Sequence, residues 1–279
     1  MFKKILQIAA ALAVVGYLAF CTAVYVCPQW FFYHPSAERS DIAAAVAAGF
    51  PADEVHYRSA DGTELYGWFV KPSAGRKIVV YFHGNAYNIE AFYHKLIPFV
   101  KAGYGAFIGE YRGFGGIPGE LRQVNLEADA LAAVDYLHTQ GYRNSDMIIY
   151  GMSLGSHMAV DTVFRRGQDD AFAALILEVP FDSVFNVVKQ RFWPVFPFDL
   201  LVKDKYENAS ELARIKIPVL IMAAAQDRVV PPARAKALFK AANEPKKMII
   251  YPGAGHSDLY EHHNYRDILQ WLQDNEKAE

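Results

Sequence analysis

The chain has 279 residues, enough for one large domain or two small ones. Its 28 Lys and Arg residues and 30 Asp and Glu residues give a net charge of −2, which disfavours a strongly basic nucleic-acid-binding protein. Hydrophobic residues make up 53% of the chain, which argues against disorder and for a sizeable buried core.

The first predicted element is an apolar helix over residues 5–26, a stretch that contains no charged residue. At 1.5 Å per residue this helix would be about 33 Å long, enough to cross a bilayer. Lys3 and Lys4 precede it, and the aromatic residues 30–33 follow it, as is typical of a membrane interface. A cleaved signal peptide with a small-residue site at 21–23 is the alternative, although the apolar stretch continues beyond that site.

The charges that flank this helix predict its orientation. Two lysines and the amino terminus lie before it, whereas Arg39 is the one basic residue within about 20 residues after it. The positive-inside rule then places the amino terminus in the cytoplasm and the rest of the chain on the periplasmic or lumenal side. We therefore predict a single-pass protein with an anchor over residues 1–35 and one domain over residues 36–279.

A hairpin and then a repeated strand–helix pattern follow the anchor. Residues 55–59 and 64–71 alternate in polarity on either side of Asp61-Gly62, which predicts the hairpin. The later elements are predicted, in chain order, as strand 77–82, a helical face over 89–100, strand 105–111, a helix over 126–137, strand 147–150, helix 154–166, strands 173–179 and 217–224, helix 232–242, strand 247–251 and a last helix that ends near Leu272. This alternation predicts an α/β fold with a mostly parallel central sheet and helices on both faces.

One segment interrupts the alternation. Seven aromatic residues lie between Phe181 and Tyr206, together with Pro194 and Pro197. We interpret residues 181–214 as a small cap inserted over the sheet. Part of its aromatic surface, including Phe192 or Trp193, is predicted to line an acyl-binding cleft, and part to touch the bilayer; packing as ordinary core is the alternative.

The clearest chemical signal is Gly-Met-Ser-Leu-Gly at residues 151–155, between a predicted strand and a predicted helix. This context is typical of a nucleophile elbow, a sharp turn that holds a serine in a strained conformation at the sheet edge. The flanking glycines remove side chains that would collide there. No cysteine lies beyond Cys27, so Ser153 is the predicted nucleophile rather than a thiol.

A serine nucleophile needs a base, and the base needs an acid that orients it. Of the nine histidines, His256 is best placed, because it follows the last predicted strand in a flexible Gly-rich loop. Asp227 directly follows the strand before it, which gives the chain order Ser, Asp, His. Asp258 is the competing acid, but its position favours a cap on the last helix.

The negative charge that develops on the attacked carbonyl needs backbone donors. One predicted donor is the N–H of Leu154, directly after the nucleophile. The other is the N–H of Asn85, in the loop His-Gly-Asn that follows strand 77–82. Gly84 in that loop would let the backbone approach the substrate closely.

Six segments occur in the order found in the α/β-hydrolase superfamily: Tyr-Phe-His-Gly-Asn at 81–85, Tyr-Arg-Gly-Phe-Gly at 111–115, Gly-Met-Ser-Leu-Gly at 151–155, Pro-Phe-Asp-Ser at 180–183, Asp-Arg-Val-Val-Pro at 227–231 and Gly-Ala-Gly-His at 253–256. Over about residues 53–275 the chain resembles the membrane-anchored serine hydrolases related to the bud-emergence proteins and the serine aminopeptidase-like hydrolases. The resemblance implies an α/β-hydrolase fold and a triad of Ser153, His256 and Asp227. No catalytic role is transferred to Arg112.

These observations predict a membrane-anchored serine hydrolase that cleaves acyl esters or thioesters without a cofactor or metal. Its substrate would be an acyl-containing small molecule, a lipid or an acylated protein. A peptidase or amidase with the same triad, and an anchored scaffold without catalysis, remain alternatives because one fold hosts many chemistries.

Overall fold

The computed structural model describes residues 1–192 and 196–276. In chain order its helices are α1 Phe2–Val26, α2 Gln29–Phe32, α3 Ile42–Ala47, α4 Ile97–Lys101, α5 Gln123–Thr139, α6 Leu154–Arg166, α7 Val184–Phe192, α8 Phe198–Leu201, α9 Asn208–Leu212, α10 Pro232–Ala241 and α11 Asn264–Glu276. The strands are β1 His34–Pro35, β2 Asp53–Arg58, β3 Glu64–Val70, β4 Ile78–Phe82, β5 Ala86–Tyr87, β6 Gly105–Gly109, β7 Met147–Met152, β8 Ala174–Glu178, β9 Val219–Ala224 and β10 Lys246–Tyr251.

Eight of these strands form one sheet in the order β10-β9-β8-β7-β4-β6-β3-β2. The hairpin β2–β3 and the pair β3–β6 are antiparallel, and every other neighbouring pair in this sheet is parallel. The five inner strands from β9 to β6 are buried along their whole length, as expected where both faces of a parallel sheet are covered by helices. The predicted α/β-hydrolase fold class is confirmed.

The first helix, α1, is long and apolar enough to cross a membrane by length and composition. Only 6% of its most apolar 18-residue window is buried inside the protein. The helix therefore does not pack into the core of the domain as a soluble core helix would.

The predicted helical face over residues 89–100 is only partly an α-helix. Ile89–Ala91 and Tyr93–Leu96 form 3₁₀ turns, and the α-helix α4 begins at Ile97. Pro98 explains the difference, because proline lacks an N–H and clashes with the carbonyl four residues earlier inside an α-helix. Proline is tolerated in the first turn, which is where α4 places it.

The segment interpreted as a cap contains α7, α8 and α9. Phe181 at its start and Tyr206 just before α9 are buried in the main core. Phe196 instead packs against α1, with its ring centroid 5.2 Å from that of Phe20 and 5.7 Å from that of Tyr17. Trp193, with the side chain of Phe192, lies outside the described residues, so their lining of an acyl-binding cleft stays a prediction, as does the boundary 181–214.

Candidate active site

Ser153 lies at the sharp turn between β7 and α6. Its backbone has φ +52° and ψ −117°, a strained combination for a residue with a side chain. A Cβ on Gly151 would lie 2.2 Å from the Gly155 carbonyl oxygen, and a Cβ on Gly155 would lie 2.0 Å from the Phe82 carbonyl oxygen. Both flanking positions therefore require glycine, for the steric reason that the sequence motif indicates.

The side chains of Ser153, His256 and Asp227 form a continuous hydrogen-bonded chain. His256 Nε2 lies 2.9 Å from Ser153 Oγ, and His256 Nδ1 lies 2.7 Å from Asp227 Oδ2. The three residues follow β7, β10 and β9, so the carboxyl ends of parallel strands bring them to one edge of the sheet. This geometry allows the imidazole to take a proton from the serine while the carboxylate fixes its orientation.

The Asp227 carboxylate is fixed from its other side. Its Oδ1 accepts hydrogen bonds from the backbone N–H groups of Val229 and Val230, both at 2.8 Å. The Asp227 side chain is almost fully buried, and that of His256 is mostly buried. Each carboxylate oxygen of Asp227 thus has its own partner, which leaves Oδ2 directed at the imidazole.

The expectation that Asp258 caps the last helix is wrong. That helix, α11, begins only at Asn264, after a series of turns. Asp258 Oδ1 instead accepts the backbone N–H of Gly255 at 2.7 Å. An aspartate can satisfy a nearby loop N–H as readily as a helix terminus, and here it stabilises the loop that carries His256.

The His-Gly-Asn loop lies against the serine. A Cβ built on Gly84 would be 3.7 Å from Ser153 Cβ, an ordinary contact, so the protein itself does not require glycine there. The Asn85 side chain donates to the Phe32 carbonyl oxygen at 2.6 Å, and the Asn85 carbonyl accepts the N–H of His34 at 2.8 Å. Leu154 is the first residue of α6, so its N–H has no acceptor within the helix and is free for a ligand.

Buried polar side chains hold this loop, and Glu110 is the one among them that the sequence motifs did not identify. His83 Nδ1 lies 2.8 Å from the Gly84 carbonyl oxygen, and its Nε2 lies 3.0 Å from Glu110 Oε1. Both side chains are fully buried, and Glu110 Oε2 accepts the N–H of Ile89 at 3.0 Å. The neighbouring Arg112 donates to the Asp129 carboxylate from both its Nε and its Nη2, consistent with a structural loop.

An apolar cavity of about 330 Å³ opens beside Ser153. Asn85 and Leu154, the residues predicted to supply the oxyanion donors, line the same cavity as Ser153. Its other walls come from residues 28 and 31–34 after α1, from Phe181 and α7, from residues 201–204 with Tyr206, and from residues 229–230. Its size is within the range of sites for small ligands, and its lining is mostly hydrophobic.

The segment after α1 is the part of the site that sequence reasoning missed. The aromatic residues 30–33 were expected at a membrane interface, yet Phe31, Phe32 and Tyr33 line the cavity, while Trp30 is 71% exposed. Tyr33 is buried and its hydroxyl is hydrogen-bonded to that of Tyr206. The one available signal was the clustering of these aromatics just before the domain, which fits a membrane interface equally well.

A second polar cluster lies between α5 and α6. Glu127, His157 and Asp161 are buried and present ligand-type atoms within 4.8 Å of one another. Arg165 already pairs with both carboxylates, at 2.9 Å from Glu127 and 2.7 Å from Asp161. A guanidinium therefore supplies the positive charge that a metal ion would supply, and we assign this cluster a structural role.

Glu211 of α9 lies next to that cluster. Its environment should make the stability of the folded protein depend on pH. Burial raises the pKa of Glu211 from its ordinary 4.5 to about 7, and its Oε2 has no partner among the described residues. Between those values the carboxyl is protonated when folded and ionised when unfolded, so the free energy of unfolding falls as pH rises through them. Glu211→Gln should therefore raise Tm by roughly 2 °C at pH 8 and leave it unchanged at pH 4, allowing for partial exposure.

Thermal unfolding followed by circular dichroism at the two pH values measures this difference. Glu207→Gln, at an exposed position just before α9, is the matched control and should shift Tm equally at both. A decrease in Tm for Glu211→Gln at pH 8 would mean that the carboxylate has a stabilising partner.

Several known proteins are similar to this chain. Residues 91–278 match the prolyl oligopeptidase family, a range that includes Ser153, Asp227 and His256. An uncharacterized protein of Mycobacterium tuberculosis is 32% identical over 257 residues, which cover 89% of each chain. The bem46 protein of Schizosaccharomyces pombe is 26% identical over 273 residues, covering 92% of this chain and 87% of that one.

Among solved structures, an esterase of Pyrococcus furiosus superposes with a TM-score of 0.67 at 16% identity, covering 87% of this chain and 97% of the esterase. At that identity the likeness shows the fold. The family match and the relatives show more: the chain belongs to the prolyl oligopeptidase family of the α/β-hydrolase superfamily. The predicted superfamily is confirmed.

Proposed function

We propose that this family member is a membrane-anchored serine hydrolase that cleaves acyl esters or thioesters. The observation that carries the proposal is the hydrogen-bonded chain from Ser153 Oγ through His256 to Asp227, which opens on an apolar cavity. A strained serine, a properly oriented imidazole and a buried carboxylate are the components that acyl transfer requires.

In the proposed reaction, Ser153 Oγ forms a bond to the acyl carbonyl carbon while His256 Nε2 takes the hydroxyl proton. The carbonyl oxygen becomes an oxyanion, which accepts hydrogen bonds from the N–H groups of Asn85 and Leu154. The tetrahedral intermediate collapses, His256 returns the proton to the leaving oxygen or sulfur, and an acyl-enzyme remains. Water activated by His256 then hydrolyses the acyl-enzyme and restores Ser153.

The cavity supports an acyl group as the part of the substrate that is bound. Val184, Val187 and Val188 of α7 face the same space as Ser153, together with the aromatic residues after α1. Burying a methylene group against such a surface contributes about 0.8 kcal/mol to binding. Longer acyl chains should therefore bind more tightly than acetyl groups.

A peptidase is the second candidate, because the matching family is named for an oligopeptidase. Rates measured on p-nitrophenyl esters, acyl thioesters and aminoacyl or prolyl amides separate the two. Faster turnover of the esters or thioesters supports the proposal, and a clear preference for the amides would replace it. Failure of Ser153 to react with a fluorophosphonate probe would instead favour an anchored scaffold without catalysis.

We also propose that α1 is an uncleaved anchor and that the domain lies outside the cytoplasm. A reporter enzyme that is active only outside the cytoplasm is fused after Glu279. It should be active, because Lys3 and Lys4 favour a cytoplasmic amino terminus and so place the domain on the other side. Moving positive charge to the other side of α1, by Lys3→Gln and Lys4→Gln together with Gln29→Lys, should reduce that signal. Amino-terminal sequencing of the mature chain that begins near Tyr25 would contradict the anchor and indicate a cleaved signal peptide.

A further inference from the structure

A second apolar cavity, of about 190 Å³, lies next to the first. Five residues line both cavities, so the two spaces are neighbours: Phe31, Phe32, Val188, Leu201 and Val202. The remaining walls of the second cavity are Phe20 and Val24 of α1 and Phe196. Shared apolar side chains therefore lie between the cavity at Ser153 and a cavity that the apolar helix α1 borders; we refer to these two cavities together as the lateral channel.

The outer cavity lies at membrane depth if α1 spans a bilayer. Lys203 Nζ lies 3.7 Å from the ring centroid of Tyr25 in the last turn of α1, where a charge can remain at the interface. Phe196 stacks on Tyr17 of α1. Tyr17 lies eight residues before Tyr25, which is about 12 Å deeper along the helix axis. The contacts of Lys203 and Phe196 thus follow α1 from the level of the interface toward the hydrocarbon.

The surface around the outer cavity is apolar as well. Leu200 and Trp30 are each 71% exposed, and Val26 is 64% exposed, all within two residues along the chain of a residue that lines the channel. Large exposed hydrophobic side chains in one region indicate a membrane or protein contact rather than a water-facing surface. Because α1 itself forms one wall, the contact that fits here is the lipid bilayer.

We propose that the lateral channel admits the acyl chain of a bilayer lipid, so that the ester or thioester reaches Ser153 from the membrane rather than from water. This inference rests on the proposed function and specifies its substrate class as a membrane-resident acyl lipid. The chain passes between α1 and the segment of α7 and α8 without leaving an apolar environment. Its polar end reaches Ser153 near the level of Lys203, at the interface.

Catalysis by the full-length protein in phosphatidylcholine vesicles tests the channel. Val24→Trp should fill the outer cavity from the side of α1. Val15→Trp is the control: it makes the same substitution on the same helix, at a residue that is 63% exposed and does not line the channel. The measured quantity is the rate on p-nitrophenyl palmitate held in the vesicles divided by the rate on p-nitrophenyl acetate in water. Val24→Trp should lower this ratio at least about tenfold, the effect of losing roughly two methylene contacts, whereas Val15→Trp should keep it.

The two proposals fail differently in this experiment. If the wild type hydrolyses acetate but Val24→Trp keeps the wild-type ratio, the lateral channel is wrong and the hydrolase proposal stands. If the wild type hydrolyses neither ester nor any thioester, the proposed function is wrong.

A binding measurement covers the case in which Val24→Trp loses both activities through misfolding. Ser153→Ala protein in vesicles that contain a diazirine-bearing phosphatidylcholine is irradiated and digested. Peptides that contain Val188 or Leu201 should carry the lipid label more heavily than peptides from α5, because only the former line the channel. Equal labelling of both would overturn the inference without any reference to turnover.

Discussion

A Ser153→Ala variant is expected to lose fluorophosphonate labelling completely and to lower ester hydrolysis by about a million-fold, the effect seen when a triad nucleophile is removed. The reason is that Ser153 Oγ is the atom placed 2.9 Å from the His256 base at the mouth of the cavity. His256→Ala should reduce turnover to a similar extent, because triad residues act as a unit. Labelling of the intact chain, detected in a gel, and ester hydrolysis measure the two effects.

Ser257→Ala is the matched control, since Ser257 is exposed and adjacent to His256 in the chain. Its labelling and turnover should equal those of the wild type. Labelling that persists in Ser153→Ala would show that another serine is reactive, and the assignment of the nucleophile would be wrong.

The strand and helix pattern was predictable because each element has a local cause. The inner strands are continuous apolar segments. Because these strands are parallel, the residues that follow them lie at the same edge of the sheet. Ser153, Asp227 and His256 could therefore be selected from their positions after strands. The requirement for Gly151 is equally local, because a Cβ there would collide with the Gly155 backbone in the same turn, whereas Gly155 avoids the Phe82 carbonyl oxygen at the end of β4, which is distant in the chain.

The cavity could not be predicted because distant segments form it. Asn85 is bound by Phe32 across 53 residues, and Tyr33 is bound by Tyr206 across 173 residues. Nothing in the local pattern of either partner specifies the other. Asp258 was misplaced for a related reason, since an aspartate before a helix satisfies a loop N–H or a helix terminus with the same side chain.

The assignment of the acid leads to the second large expected effect. In Asp227→Asn, the amide oxygen can still accept the N–H groups of Val229 and Val230, so the loop keeps its shape. The amide NH₂ then faces His256 Nδ1, which must become an acceptor, and the ring proton moves to Nε2. That tautomer cannot take the proton of Ser153, so turnover should fall by about 10⁴-fold with little change in Tm.

Asp258→Asn provides the contrast, because its amide oxygen can still accept the N–H of Gly255 and the His256 loop keeps its hydrogen bond. Its cost in turnover should stay below about tenfold, the range of one weakened hydrogen bond. Steady-state rates on one ester, with Tm measured for both variants, decide between the two carboxylates. A larger loss for Asp258→Asn than for Asp227→Asn would transfer the acid role to Asp258. Equal losses with a fall in Tm would mean that both carboxylates only hold their loops in place.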